Sequence, residues 1–509
     1  MIDPILPCFL KRIQFFYISG NIVCTYAIMF LYMESKSYEC CIIGAGPSGL
    51  GAAIELTRGG VKDILIIDKG HRVGGLSRTD IYDGTRFDVG PHRFFTKNQE
   101  VNTLWHDTLG ADFRPVDRIT RIHYKGRFFN YPIKALDVLT KLGIVESAMA
   151  LGSFAAARFN NSGRLESFED WITQKFGQKL YETFFKTYTE KVWGLPCNQI
   201  SAQWAAQRIK GLDVLEIVRN ALFSGSKTSP KTLVEHFDYP LLGAGQMYEA
   251  MCDGVVALGV DVLLGARVVS FNRRQDIIDS IDVVTEDGRR RRISARHFFN
   301  SAALTHFFRL LDPKDDHLDD SSVDALYYRD HITVNILVDD TRVFPDQWIY
   351  IHSPDVQVAR IANYNNFSAE MIADKKMTAL SAEYFVFQHE ALWGLSDDSI
   401  KELAADELQY LGLIKKERVV SSWVVRETEA YPTYYINFEG AYDVVKAHTD
   451  SYVNFSPIGR GGLYKYNNQD HSILSGFLAA RNYLNLPGTP YRIWDINIDA
   501  QYHENNKRK

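Results

Sequence analysis

Residues 38–79 of this chain read YECCIIGAGPSGLGAAIELTRGGVKDILIIDKGHRVGGLSRT, the most informative segment of the sequence for its fold. Its first six residues form a short, largely apolar run, which is typical of a buried parallel strand. GAGPSG (44–49) follows at once, and apolar residues then recur at helical spacing until Gly59-Gly60. Residues 63–67 predict a second strand, which Asp68 closes. This order predicts a βαβ unit that binds a dinucleotide.

Each glycine of the turn is required for its own physical reason. Gly44 permits the tight turn, Gly46 lets the backbone approach a pyrophosphate, and Gly49 lets the helix pack closely on the strand. The N-terminus of the following helix offers free N–H groups and a positive dipole end to phosphates. Asp68, 19 residues beyond Gly49, can accept hydrogen bonds from ribose hydroxyls.

Two further segments resemble those of the amine oxidase, protoporphyrinogen oxidase and carotenoid desaturase superfamily. RVGGLSRT (72–79) is similar to its RxGGxxxT turn, and FDVGPH (87–92) resembles the strand beside its isoalloxazine ring. Val268 matches the residue whose backbone holds adenine in that superfamily. The resemblance therefore implies FAD, with contacts from Gly44, Gly46, Ser48, Gly49, Asp68, Lys69, Gly74, Gly75, Leu76, Ser77, Val268, Gly459 and Arg460.

The FAD is expected to be non-covalent. The chain has no cysteine after Cys252, so the C-terminal cysteinyl link of monoamine oxidases has no counterpart. A second complete GxGxxG motif is also missing, which argues against a dedicated NAD(P)H domain and leaves NAD(P)H possible as an external reductant.

The expected fold class is α/β: a discontinuous Rossmann-type FAD-binding domain with an inserted substrate domain of helices and an antiparallel sheet. We expect the FAD domain to comprise residues 38–115, 235–304 and 430–495. Residues 116–234 are expected to form a helical substrate or cap domain. Residues 305–429 are expected to form a substrate-binding sheet.

Three other stretches resemble UDP-galactopyranose mutases. FFKTYTEKVWG (184–194) is similar to their FFxxYTxKxWG segment, and Arg208 follows Trp193 at about the mutase spacing. GRGGLYKY (459–466) resembles their GRxxxYxY, and NQDHS (468–472) matches their eukaryotic branch. Weaker matches are Arg360, in VARI, and Tyr434, in a Tyr pair that lacks the mutase Pro.

The mutase resemblance implies an FAD-dependent isomerase of a nucleotide sugar, in which reduced flavin N5 attacks the anomeric carbon. Fixed arginine forks suit the two charges of a nucleotide diphosphate. The implied catalytic residues are His92, Arg208, Arg360, Arg460 and Tyr466. The implied substrate-binding residues are Trp193, Arg208, Arg360, Tyr434 and Tyr466.

Two other functions stay open at this point. An oxidoreductase of the protoporphyrinogen oxidase, amine oxidase or desaturase type would pass hydride from a carbon substrate to N5, and the glycine turns fit it equally. A flavin-binding protein without catalysis is the third possibility, against which the Arg and Tyr set argues.

The composition of the chain limits which functions are expected. The formal net charge is −5, so no global basic field indicates nucleic acid. The six cysteines show no metal-site spacing and suit a reducing compartment, and no metal is expected.

The N-terminal segment has two interpretations. Residues 13–33 form a 21-residue run without charge that fits a weak membrane anchor. We favour translation from Met33 and a cytoplasmic protein, with residues 1–37 an extension that is not native to the fold and residues 1–32 dispensable.

Overall fold

A computed structural model describes residues 37–496 apart from 132, 134, 160–164, 203–235, 342 and 489. The predicted membrane anchor at 13–33, the proposed start at Met33 and the predicted site residue Arg208 lie outside the described residues. None of the helices in the described part of the chain combines the length and apolar character needed to cross a bilayer.

A five-stranded parallel sheet carries the dinucleotide motif. Its order is β20-β13-β1-β2-β9, with bounds β1 Tyr38–Ile43, β2 Ile64–Ile67, β9 Asp261–Leu263, β13 Ala295–Asn300 and β20 Phe455–Pro457. These strands come from three separate parts of the sequence, which confirms a discontinuous Rossmann-type domain.

Alternating residues of β1 enter two different cores. Cys40 and Ile42 pack with helices on one face of the sheet. Cys41 and Ile43 pack on the other face against a four-stranded sheet of order β12-β11-β10-β14. Both cysteines are buried and free, as expected of small apolar residues in a central strand. The bounds of the second sheet are β10 Ala266–Arg274, β11 Ile277–Thr285, β12 Arg290–Ile293 and β14 Leu311–Asp312.

The helices around these two sheets come from all parts of the chain. Their bounds are α1 Pro47–Arg58, α2 Gln99–Leu109, α8 Gly245–Ala257, α9 Leu304–Arg309, α10 Asp320–Asp324, α12 Phe438–Ser451, α13 Gly459–Gly462 and α14 Gln469–Tyr483. The helix α1 begins directly after the glycine turn, and α14 packs along it. The N-terminus of α1 therefore faces the carboxyl edge of the sheet, where dinucleotides bind.

A seven-stranded sheet of order β19-β15-β18-β17-β16-β6-β7 forms the other half of the molecule. Its bounds are β6 Thr120–Tyr124, β7 Arg127–Asn130, β15 Tyr328–Val338, β16 Trp348–Ile351, β17 Arg360–Asn363, β18 Thr378–Val386 and β19 Val419–Pro432. It is antiparallel except where β16 pairs with β6. The sheet thus takes β6 and β7 from the region expected to be helical, and α11 (Asp397–Tyr410) packs on it.

Five helices follow β7 in the described part of the region 116–234. Their bounds are α3 Ala135–Leu142, α4 Ile144–Phe159, α5 Phe168–Phe176, α6 Gln178–Tyr181 and α7 Thr187–Trp193. A π-helical turn, Glu182–Lys186, joins α6 to α7 and overlaps the start of the FFKTYTEKVWG segment. Such turns interrupt a helix at a cost in regular hydrogen bonding and often lie at functional sites.

Two short antiparallel pairs connect the halves. The hairpin of β3 (Thr79–Tyr82) and β4 (Thr85–Asp88) follows the second glycine turn. The strand β5 (Phe113–Asp117) pairs with β8 (His236–Pro240). Both pairs lie in the sequence between elements of the parallel sheet and elements of the seven-stranded sheet.

Candidate active site

The first glycine turn has the geometry that its sequence predicts. Gly44 adopts φ +105°, in the region that favours glycine. A Cβ on Gly49 would lie 1.9 Å from the carbonyl oxygen of Gly44, so the helix packs on the strand only because this residue is glycine. A Cβ on Gly46 would meet nothing of the protein closer than 3.7 Å. Packing therefore explains Gly49 but not Gly46, which fits a ligand that needs the space beside Gly46.

The second glycine turn lies directly against the first. The amide of Gly74 donates to the carbonyl of Ala45 at 2.8 Å, and a Cβ on Gly46 would lie 3.7 Å from the Cα of Gly75. Two turns that lack side chains at Gly46 and Gly75 thus face one cleft. This cradle fits the diphosphate of a flavin dinucleotide.

Asp68 holds these turns together as well as facing the cleft. Its carboxylate accepts from the amides of Ala45 and Gly70, both at 2.7 Å. Burial raises the pKa of Asp68, against the effect of these two bonds. Each oxygen has accepted one bond, which leaves lone pairs for ribose hydroxyls.

A cavity of about 1440 Å³ opens from these turns. Pockets for a single ligand are usually roughly 300–1,000 Å³, so this one has room for a dinucleotide and a second molecule. Among the predicted flavin contacts, its wall includes Gly44, Gly46, Ser48, Asp68, Lys69, Gly75, Leu76, Ser77, Val268 and Arg460. Gly49, Gly74 and Gly459 are not part of that wall.

The same wall also carries residues predicted for the reaction: His92, Arg360, Arg460 and Tyr466. They come from the segment after β4, from β17 and from the segments around α13. Residues more than 370 positions apart in the printed sequence thus share one cavity. The fold brings these four together beside the glycine turns.

Arg360 is held by a buried carboxylate. Its Nε lies 2.7 Å and its Nη2 2.5 Å from the two carboxylate oxygens of Glu383, which is fully buried on β18. His331 Nε2 lies 3.0 Å from the same carboxylate. Burial alone would raise the pKa of Glu383, but Arg360 and His331 outweigh it and hold the pKa at about 2. Arg360 is therefore a fixed cation whose charge is balanced.

Arg460 is fixed by carbonyl groups instead. Its Nε and Nη2 donate to the carbonyl of Asn467 at 3.0 and 2.8 Å, and its Nη1 donates to Ala430 at 3.2 Å. The guanidinium carbon lies 4.8 Å from the ring centroid of Tyr431 and 5.1 Å from that of Tyr466. Two aromatic faces and two carbonyls thus orient this arginine at the cavity wall.

His92 is uncharged at neutral pH. Burial, together with the positive charges of Arg460 and Arg360, lowers its pKa to about 3. Its Nδ1 lies 3.0 Å from the carbonyl oxygen of Gly90, which requires the proton on Nδ1. Nε2 is then a hydrogen-bond acceptor in the cavity wall.

Trp193 and Tyr434 support this wall. The ring of Trp193 is 2% exposed and lies 6.3 Å from Tyr434 and 5.8 Å from Tyr466. The hydroxyl of Tyr434 accepts from the amide of Tyr466 at 2.8 Å. These contacts place both residues in packing around Tyr466; their contact with substrate stays a prediction, as does the role of Arg208.

Sequence reasoning missed the residues that position the arginines. Lys191, in the KVWG segment, donates from Nζ to the carbonyls of Ser353 and Val358 at 2.7 and 3.0 Å, and thereby joins α7 to the loop before Arg360. Burial lowers its pKa to about 8. Glu383 was also missed, although one carboxylate in the apolar run TALSAEYFV was a usable signal.

The fold and the site define a flavin-binding protein with a two-part cavity. A family model described as flavin containing amine oxidoreductase matches residues 47–302, half of the chain. The chain therefore belongs to the flavin-containing amine oxidoreductase family and is a flavin-dependent enzyme of the amine oxidase superfamily.

Several relatives are mutases. The dTDP-fucopyranose mutase of Escherichia coli is 29% identical over 170 residues, 32% of this chain and 43% of that protein. The "probable UDP-galactopyranose mutase" of Klebsiella pneumoniae is 31% identical over 170 residues, 32% of this chain and 42% of that protein. The matched region thus spans less than half the length of either relative.

A solved structure of reduced UDP-galactopyranose mutase has the same fold. The TM-score is 0.77 at 22% identity, over 88% of this chain and 94% of that chain. This likeness confirms the α/β fold class and the predicted resemblance to the mutases.

Proposed function

We propose that this protein is a non-covalent FAD enzyme that isomerises a nucleotide sugar between its pyranose and furanose forms. One observation carries the proposal: a single cavity joins the two glycine turns to a wall that contains His92, Arg360, Arg460 and Tyr466. The similarity to two mutases supports the same function.

The flavin would be held mainly by backbone. Gly46 and Gly75 leave space for a diphosphate, and the start of α1 offers its free amides. Asp68 would accept from ribose, and Val268 would contact adenine. When bound and reduced, the flavin would supply a nucleophilic ring nitrogen for the anomeric carbon of the sugar.

The two arginines would bind the leaving nucleotide diphosphate. An arginine side chain has five N–H donors. In the described structure Arg360 uses two of them on Glu383, and Arg460 uses three on carbonyl groups. The remaining donors would stabilise the negative charge that develops on the diphosphate, and their fixed positions lower the cost of doing so. Arg208 would add a further cation.

His92 and Tyr466 would orient the sugar and phosphates. With its proton on Nδ1, His92 can accept a hydrogen bond from a sugar hydroxyl through Nε2. The Tyr466 hydroxyl would donate to a phosphate oxygen. Trp193 and Tyr434 would keep the Tyr466 ring in place.

A second candidate function is a net oxidoreductase. The observation that favours it is the Arg360–Glu383 pair, which leaves this part of the wall without net charge. The uncharged His92 has the same effect. Such a wall suits an uncharged carbon substrate that would give hydride to the flavin.

Product analysis separates the two functions. The reduced holoenzyme, prepared with dithionite or NAD(P)H, is mixed with UDP-galactopyranose, and chromatography follows the furanose form. A mutase gives many turnovers per flavin without consuming more reductant, and UDP changes the flavin spectrum. Steady consumption of an electron acceptor, with no response to UDP, would instead establish the oxidoreductase.

A further inference from the structure

The strand β19 carries a bulge opposite Asp330. His331 of β15 pairs with Glu427 and Arg329 pairs with Tyr431, so residues 428–430 all lie opposite one residue. Within the bulge, Glu429 adopts φ +58°, which is uncommon for a residue other than glycine. Its amide donates to the Asp330 carboxylate at 2.8 Å. A strained conformation with its own buried acceptor indicates a feature that the fold maintains.

Glu427, which precedes the bulge, and Thr428, its first residue, contact side chains on either side of the second glycine turn. The Glu427 carboxylate accepts from Arg78 Nη2 at 2.5 Å, just after the second glycine turn. The Thr428 hydroxyl accepts from Lys69 Nζ at 3.3 Å, just after β2. Burial opposes the charge of Arg78, but Glu427 and Asp80 outweigh it and raise its pKa.

The next two residues contact two other segments of the FAD domain. The Glu429 carboxylate lies 2.9 Å from His306 Nε2, on α9 after β13. The Ala430 carbonyl accepts from Arg460, on α13 after β20. Four consecutive residues, 427–430, therefore contact four separate segments, three of which follow strands of the parallel sheet. We name residues 427–430 the flavin strap.

The flavin strap lies along the cavity itself. Glu427, Thr428 and Glu429 belong to the cavity wall, as do the four side chains of the FAD domain that the strap contacts: Lys69, Arg78, His306 and Arg460. Ligands of parallel sheets bind outside the carboxyl ends of the strands. The strap joins the seven-stranded sheet to that edge and borders the cleft in which a dinucleotide on Gly46 and Gly75 would lie.

We propose that the flavin strap is a gate that must lift before the flavin can enter or leave, and that Glu427 and Glu429 hold it closed. The side chains of the Arg78–Glu427 pair are only 18% and 15% exposed, so solvent screens this contact weakly. The inference concerns the cofactor and applies equally to a mutase and an oxidoreductase.

Flavin exchange kinetics test the gate. FAD is removed from the protein and added back, and flavin fluorescence gives the association and dissociation rates for the wild type and Glu427→Gln/Glu429→Gln. Because a closed gate slows both directions, both rates should rise about tenfold, with the dissociation constant changed less than about threefold.

A matched control is Asp340→Asn, which breaks the ion pair of Asp340 with Arg418 next to the other end of β19. It should leave both flavin rates unchanged. A rise in dissociation alone would mean that the two glutamates only strengthen binding, and that result, like unchanged rates, overturns the gate. Urea unfolding of the apoprotein shows whether the double variant has lost stability. If it has, the flavin association and dissociation rates are measured instead for the single Glu429→Gln variant and for the wild type at increasing salt concentration. The same criteria then apply to these two rates.

Discussion

The two halves of the cavity are built from different kinds of groups, one mainly from backbone and the other from side chains. The half proposed for the flavin is built mainly from backbone: glycine turns, strand ends and helix amides within residues 44–77, together with the Asp68 carboxylate. The half around Arg360 consists of side chains held by other side chains that are distant in sequence. A backbone site depends on the absence of Cβ atoms, whereas a side-chain site depends on balanced buried charge. Mutations should therefore have different effects in the two halves.

The largest effect should come from a side chain added to the backbone half. In Gly46→Val, the new Cβ meets no protein atom closer than 3.7 Å, so the fold should survive. The same atoms would occupy the space beside the diphosphate, so flavin binding should be abolished. The ratio of flavin to protein absorbance after gel filtration measures the loss, and circular dichroism checks the fold.

Two other glycines serve as controls. Gly254 lies in α8, where a Cβ would have no protein atom within 4 Å, so Gly254→Ala should keep flavin and stability. Gly49→Val should unfold the domain, because its Cβ would lie 1.9 Å from a carbonyl oxygen. If Gly46→Val retains flavin, the backbone cradle is not the flavin site.

The next effect concerns buried charge in the side-chain half. Glu383→Gln leaves Arg360 without its counter-charge, and breaking a buried ion pair in this way costs about 3–5 kcal/mol of stability. Urea unfolding of the apoprotein measures the cost. Replacing both residues, in Arg360→Met/Glu383→Gln, should recover much of it. A small loss in the single variant, or none recovered in the double variant, would show that the pair is not a buried unit.

The glycine turns of the proposed flavin half could be predicted from the sequence because the rules that govern them are local. A strand, a tight turn, a helix and a second strand are adjacent in the chain, and each glycine has its own steric reason. Gly44 and Gly49 have the geometry that those reasons require. The discontinuous domain was also predicted, on the resemblance to the amine oxidase superfamily.

The side-chain half could be predicted only in part. The sequence indicated that Arg360 and Arg460 belong to one site, and both line the cavity. It did not indicate that Glu383 balances Arg360, because that pairing depends on strand register in the seven-stranded sheet. It also did not indicate that the carbonyls of Asn467 and Ala430 hold Arg460. The bulge at Glu429 also depends on strand register. The sequence did not predict it, because no glycine or proline marks it.

A smaller effect is expected on ligand binding through Arg460. Unlike Arg360, Arg460 can be removed without leaving a buried carboxylate unpaired, because its described partners are carbonyl groups. Arg460→Ala should weaken UDP binding about tenfold to over a hundredfold, the effect of losing a charge-assisted hydrogen bond of roughly 1.5–3 kcal/mol. Titration of the flavin spectrum with UDP measures it, and Arg418→Ala is the control. Equal UDP affinity in both variants would remove Arg460 from the proposed site.

The smallest expected effect is on the pH dependence of stability and comes from Asp88. This residue lies between the two halves, at the end of the β3–β4 hairpin that leads to His92. The Asp88 carboxylate is fully buried and accepts from the hydroxyls of Thr79 and Tyr239 and from the amide of Ala244. Burial raises its pKa from 3.8 to about 7, against the effect of these three donors. The folded state therefore holds this proton more tightly than the unfolded state does.

The sign of the pH dependence follows from that raised pKa. The stability that Asp88 contributes is fully present below about pH 4 and is lost as the pH rises through about 7. Between pH 6.5 and 8 the loss should be roughly 1 kcal/mol. Asp88→Asn imitates the protonated form, so its free energy of unfolding should lack this decline. Subtracting the two urea curves removes the contributions of His92 and other groups common to both proteins. Parallel curves across this window would show that Asp88 is already ionised in the fold, and that its three donors outweigh its burial.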